Sequence, residues 1–332
     1  MFTLKKTYYL LFLIGLFFFP FNSFEGLKFL GEYKNEAGAY IFLIGIFLLI
    51  IDVIKGRSFY IPINKPIFQI VLVFLFWIVL CTLLNLHTVL DNYFKHTTGI
   101  NRFIRQFIAL LFSTVIFLLF FWNVLINMST TQILYRIRKV FLFSLLFATL
   151  YGFLELFVNV FHFSFLLPIY QLFNYFPFLE EDFHTLGRIS SIAFEPPFLA
   201  VYLISIAGWM YSYMLTEKSK MKYIPTIMVL LLTYYSGSRT ALIVILIQFI
   251  VFLNIYLSPI RKKVLIIVTI GLISLLSILA VLSKDNKAIK DISKKIESLD
   301  FVGNLTKNVS NQSRFGIQYS SIQVFKSNPI VG

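Results

Sequence analysis

Gly187-Arg188-Ile189-Ser190-Ser191-Ile192-Ala193-Phe194-Glu195-Pro196-Pro197 opens an apolar run that continues to residue 215. An arginine and a glutamate therefore stand at the mouth of a segment long enough to cross a bilayer, for which about 20 apolar residues suffice. Charge at such a boundary is costly unless something pairs with it or uses it. The pattern recurs in Tyr234-Tyr235-Ser236-Gly237-Ser238-Arg239-Thr240, which sets a second arginine between two further apolar runs. In both places the charge is Arg, whose planar fork suits phosphate oxygens in pairs.

Outward from these two stretches the chain alternates apolar runs with short polar ones. The runs cover residues 8–21, 38–54, 66–86, 107–126, 140–161, 192–215, 224–235, 241–257 and 264–282, the first and seventh being short for a bilayer. They predict an all-α, polytopic transmembrane helix bundle of about nine spans. Composition agrees. Charged residues make up 13% of the chain and hydrophobic ones 58%, whereas soluble domains are about a quarter charged. Lys5 and Lys6 precede the first run, but no small-residue cleavage site follows it, so the run reads as a retained first span rather than a signal peptide.

Basic residues set the expected orientation. With the N-terminus cytoplasmic, the inside segments hold fourteen Lys and Arg and the short outside loops hold seven. That is the bias the positive-inside rule requires. Arg102 and Arg105, just before the fourth run on the outer side, go against it. Residues 1–282 thus read as the membrane domain and 283–332 as a long extracytoplasmic loop segment. Within that loop, Ile289, Ile292, Ile296 and Leu299 share one helical stripe. An amphipathic helix on the outer membrane surface, or one packed on the bundle, fits that spacing.

The net charge of +14 is scattered between apolar spans and not gathered on one face, which argues against nucleic acid as a partner. The single Cys81 excludes an intramolecular disulfide, and the four His show no metal-ligand spacing. No metal and no cofactor is expected.

Several residues are candidates for chemistry. Arg188, with Ser190 and Ser191 beside it and a helix N-terminus following, has the donors to hold a phosphate; an interfacial anchor snorkelling to head groups is the plain alternative. Glu195, followed by two prolines, is expected at a helix N-cap, or as a base acting on a sugar hydroxyl. Ser238 and Arg239 lie in a turn of small residues and can both donate to an anion. Arg314 stands in a polar loop. Glu155, inside the fifth run, calls for a structural partner such as a neighbouring hydroxyl. His184 lies in an acidic outer run and reads as a solvated loop residue or a general base.

Taken together, Arg188-x-Ser-Ser-x-x-Phe-Glu195-Pro, then Tyr235-Ser-Gly-Ser-Arg239-Thr-Ala, then Ser313-Arg314-Phe315 and Asn328-Pro329-Ile330-Val331-Gly332 resemble the O-antigen polymerase and O-antigen ligase superfamily. The resemblance runs from about residue 188 to the end, where the family pattern continues with more outer loop and further spans; the chain reads as a C-terminally truncated version of it. The resemblance implies a GT-C-like, metal-independent glycosyltransferase in the bacterial inner membrane. Such an enzyme acts on the outer face upon glycans carried by undecaprenyl pyrophosphate. Arg239 and Arg314 match arginines thought to hold the donor pyrophosphate, with Arg188 a candidate for the same pocket. The implied activity is polymerisation of lipid-linked repeat units into O-antigen, capsular or exopolysaccharide. Ligation of the glycan to a lipid or protein acceptor is the near alternative. A lipid-linked glycan flippase or a membrane scaffold are alternatives of other classes. The implied partners are the lipid-linked glycan, membrane lipid, and a chain-length regulator and flippase of the same pathway.

Overall fold

The computed structural model describes residues 4–24, 26–27, 33–91, 93–94, 97–126, 128–172, 188–257 and 309–327. The chain divides into two compact units, one of Met1–Ile78 with His87–Phe252 and one of Val79–Leu86 with Leu253–Gly332. The protein is an all-α polytopic membrane protein, with six described helices long and apolar enough to cross a bilayer.

In the first unit, α1 (Leu4–Phe17) pairs with α2 (Ala37–Ile54). α3 (Pro66–Leu84), of which residues 79–84 belong to the second unit, is followed along the chain by the short α4 (Leu86–Asp91) and a two-rung hairpin, β1 (Tyr93–Phe94) against β2 (Thr97–Thr98). α5 (Gly99–Leu111), a π turn (Phe112–Ile116) and α6 (Phe117–Leu125) form one continuous 27-residue helix. α7 (Thr130–Glu155) ends in a second π turn (Leu156–Val160). After α8 (Leu167–Leu172) come α9 (Pro196–Thr216), α10 (Ile224–Ser236) and α11 (Arg239–Tyr256). In the second unit, α12 (Val309–Ser327) is described.

Two packed groups hold the first unit. Tyr8, Phe12, Phe42, Phe117, Phe120 and Ile137 bring α1, α2, α6 and α7 together. Small residues set the helix spacing there, as lipid offers no hydrophobic drive between helices and close packing must supply the attraction. A Cβ on Gly15 would fall 2.3 Å from the Phe42 ring, so only glycine lets α1 and α2 approach this closely. In the second group Leu199, Leu203, Ile206 and Met210 of α9 are fully buried. By contrast α3 exposes Ile67, Ile70, Val73 and Phe76, and α11 exposes Ile247, Ile250 and Ile255. Such apolar faces suit hydrocarbon and would be a liability in water.

Polar groups pin one end of this unit. Asp52 accepts from Arg57 at 3.2 Å and from the Tyr8 hydroxyl at 3.3 Å. Asn123 bonds the backbone of Tyr60 in both directions, at 2.9 and 2.8 Å. Buried Arg138 donates to Ser212 and Thr216 of α9 and lies 4.1 Å over the Tyr213 ring.

α1 and α10, expected to be short, are 14 and 13 residues long, or about 20 Å at 1.5 Å per residue. They fall short of a full span and are sheltered by neighbouring helices. Arg102 and Arg105 lie inside α5, and Arg136, Arg138 and Lys139 lie inside α7, rather than in loops. Ser129 starts α7 early by accepting the Gln132 N–H at 3.3 Å. The expected run 264–282, the stripe at 288–299, and His184 lie outside the described residues.

Candidate functional site

The end of α7, the start of α9 and the α10–α11 turn meet through the segment that precedes α9, whose Ser190 and Ser191 bond Glu155 of α7. There the segment 188–195, which has no regular structure, lies against that turn. The Ile189 N–H donates to the Tyr235 carbonyl at 3.1 Å.

Gly237 ends α10 in the left-handed region, at φ +64°, where a residue with no Cβ carries no steric penalty. It serves a second purpose. The Arg188 side chain lies on it so closely that an added Cβ would sit 2.8 Å from Nε and 3.1 Å from Cγ. The structure thus brings Arg188 to the turn that carries Arg239, although 51 positions separate them in the chain. Arg188 is exposed and Arg239 half-buried.

Ser238 and Arg239 begin α11. The Ser238 Oγ accepts the Ala241 N–H at 3.4 Å, and its carbonyl accepts the Leu242 N–H at 3.1 Å. Arg239 is the first helical residue. Its guanidinium thus projects from a helix start, where unpaired N–H groups and the helix dipole also favour an anion.

Glu195 is the N-cap residue of α9, with Pro196 and Pro197 in the first turn, as the sequence predicts. Its carbonyl accepts the Phe198 N–H at 3.0 Å. Its half-buried carboxylate makes no capping bond.

The two serines are oriented differently from the sequence expectation. Both are buried. The Ser190 Oγ donates to Glu155 at 3.3 Å and the Ser191 Oγ to the Ala148 carbonyl at 2.6 Å. Their hydroxyls point into the helix bundle and shape the segment between Arg188 and Glu195. The reason is Glu155, 1% exposed at the end of α7. A carboxylate buried this deeply requires donors, and it takes the nearest ones. The hydroxyl partner expected for Glu155 is thus Ser190.

Sequence reasoning passed over Asn22. Its Oδ1 accepts the Phe194 N–H at 2.7 Å, from the connection between α1 and α2. Nothing in the local sequence marks it, since the contact spans 172 positions. Arg314 lies on α12 in the second unit. Among the described residues no three His, Cys, Asp or Glu side chains gather in one place.

Residues 224–332 match the family model described as O-Antigen ligase. That match supports the resemblance to the O-antigen ligase and polymerase superfamily over the last third of the chain, and it includes Arg239 and Arg314 but not Arg188 or Glu195. No curated protein and no solved structure matches the chain.

Proposed function

We propose that this membrane protein, a glycosyl-transferring enzyme by its family, joins glycan repeat units carried on undecaprenyl pyrophosphate into a surface polysaccharide. The reading places it in the bacterial inner membrane with its N-terminus cytoplasmic and residues 188–195 at the outer face. One observation carries it: Arg188 rests on Gly237, beside the helix start that bears Arg239. Arg188 thus reaches, from a distant part of the chain, the turn that bears Arg239, and in this reading the turn lies at a bilayer boundary, where charge is otherwise avoided.

In this reading Arg188 and Arg239 hold the donor's diphosphate. An acceptor hydroxyl attacks the anomeric carbon. The new C–O bond forms as the bond to the diphosphate breaks, and the lipid diphosphate leaves with the electron pair. The arginines stabilise that charge as it develops. Glu195 is the group proposed to take the hydroxyl proton. Ser190 and Ser191 shape the segment, and Ser238 starts the helix behind Arg239. Metal independence belongs to the same proposal.

The family description names a ligase, so the assay must separate the two outcomes. Purified protein in proteoliposomes receives lipid-linked repeat units, with or without a lipid acceptor. A ladder still attached to polyprenyl diphosphate indicates polymerisation; a single transfer to the added acceptor indicates ligation. Arg239→Ala is expected to lower transfer about 10²-fold or more, as loss of one transition-state donor does elsewhere. Arg239→Lys is expected to recover little of it, because a point charge loses the paired geometry. Wild-type product lengths in Arg239→Ala with normal membrane insertion defeat the proposal.

A further inference from the structure

The segment 188–195 has no helix or strand of its own, yet most of its backbone is committed. The Ile189 N–H goes to the Tyr235 carbonyl, and the Ala193 N–H goes to the Ser190 carbonyl at 3.1 Å. Three further N–H groups of the segment end on two side chains from elsewhere. Glu155 accepts the Ser190 N–H at 3.1 and 3.2 Å and the Ser191 N–H at 2.7 Å. Asn22 accepts the Phe194 N–H at 2.7 Å.

We infer that Glu155 and Asn22 are positioning residues, which fix Arg188 and Glu195 relative to each other by holding the backbone between them. This rests on the diphosphate reading above for its consequence, but not for its geometry.

Three observations carry the inference. Ser191 sits at φ +54°, a left-handed conformation that a residue with a Cβ keeps only when its surroundings dictate it. Here the dictating group is the carboxylate that draws two successive N–H groups to one point, as an anion does in a backbone nest. Next, among the described residues the partners of Glu155 are N–H and O–H donors and not a cation. A fully buried carboxylate with no counter-charge is a costly way to finish a turn, and functional sites are where such costs persist. Last, α7 breaks into a π turn immediately after Glu155, a device common at functional sites. Gly152, one turn before Glu155, lies against the segment: a Cβ there would crowd Leu232 at 3.0 Å and come into ordinary contact with Ser191 at 3.4 Å.

The test pairs hydrogen exchange with kinetics on the full chain in nanodiscs. Glu155→Gln replaces one accepting oxygen by a donor facing an N–H. Its amides at 190–191 are expected to exchange about tenfold faster while α7 and α9 keep their protection. Asn22→Ala should do the same at Phe194, and Asn22→Asp, which keeps an accepting oxygen, should not. In proteoliposomes, Glu155→Gln and Asn22→Ala should each lower kcat/KM about tenfold or more, with Asn22→Asp restoring it. In the double variant Glu155→Gln/Arg188→Ala the loss should fall well short of the product of the two single losses, since with Arg188 gone only Glu195 is left to position.

Unchanged exchange in both variants, or losses that multiply in the double variant, overturns the inference. If Glu155→Gln does not accumulate, the Asn22 pair decides the question alone. Full activity in Arg188→Ala would instead sink the diphosphate reading, and the exchange pattern would still decide whether these two side chains hold the segment.

Discussion

Replacing Gly237 with alanine separates two consequences of one added methyl group. The first is backbone strain. At φ +64° a residue with a Cβ is disfavoured by roughly 1–2 kcal/mol. The second is displacement of Arg188. The new Cβ would lie 2.8 Å from Nε, against about 3.6 Å for ordinary contact, so the side chain must retreat by about 0.8 Å. Arg188 is exposed and flexible, so it relieves the overlap by moving rather than by deforming the turn. Stability should therefore fall by the strain alone, lowering Tm by roughly 2–8 °C at about 2–4 °C per kcal/mol. Activity should fall further, because a misplacement near 1 Å can lower the rate about 10²-fold.

Gly56 supplies the control. It also has positive φ, at +98°, but an added Cβ meets nothing within 4 Å. Gly56→Ala should show a comparable Tm loss with transfer intact. The readouts are thermal unfolding in detergent and transfer from lipid-linked donor in proteoliposomes. Wild-type transfer in Gly237→Ala, or equal loss of transfer in both variants, refutes the reasoning that Arg188 must rest on this turn.

Other outcomes follow from particular contacts. Asn123→Leu removes three side-chain bonds, to Tyr60 N, Tyr60 O and Leu119 O; it should lower stability by about 2–3 kcal/mol, and a Tm within a degree of wild type would contradict this. Arg138→Met should destabilise by about 1–3 kcal/mol by removing charged hydrogen bonds to α9, whereas Glu217→Gln, at its exposed partner, should change little. Burial at the start of α2 pushes the Glu36 carboxyl above its ordinary range. Its ionisation then opposes folding, so its contribution is complete at low pH and lost as pH rises through the raised value. Glu36→Gln should accordingly stabilise at pH 7, with the gain vanishing below about pH 4; a pH-independent gain would point to another cause. For topology, Leu27→Cys in a Cys81→Ser background should react with an impermeant thiol reagent on whole cells, and Lys218→Cys only after lysis. The reverse pattern overturns the cytoplasmic N-terminus.

Sequence alone determined the membrane class and most of the helices, because apolar runs of bilayer length have no other stable setting. It also placed Glu195 at a helix start, since two prolines leave few other backbone conformations. It marked Arg188 and Arg239 because charge next to an apolar run stands out against its surroundings. Tertiary structure decided what those residues meet. The contact of Arg188 with Gly237, the pull of Glu155 on Ser190 and Ser191, and the Asn22–Phe194 bond join positions far apart in the chain. No local pattern encodes such pairs. Ser190 and Ser191 show the consequence: their sequence neighbours suggest an anion outside, but the nearest buried acceptors are a carboxylate and a carbonyl inside, and desolvated polar groups take the partners they can reach.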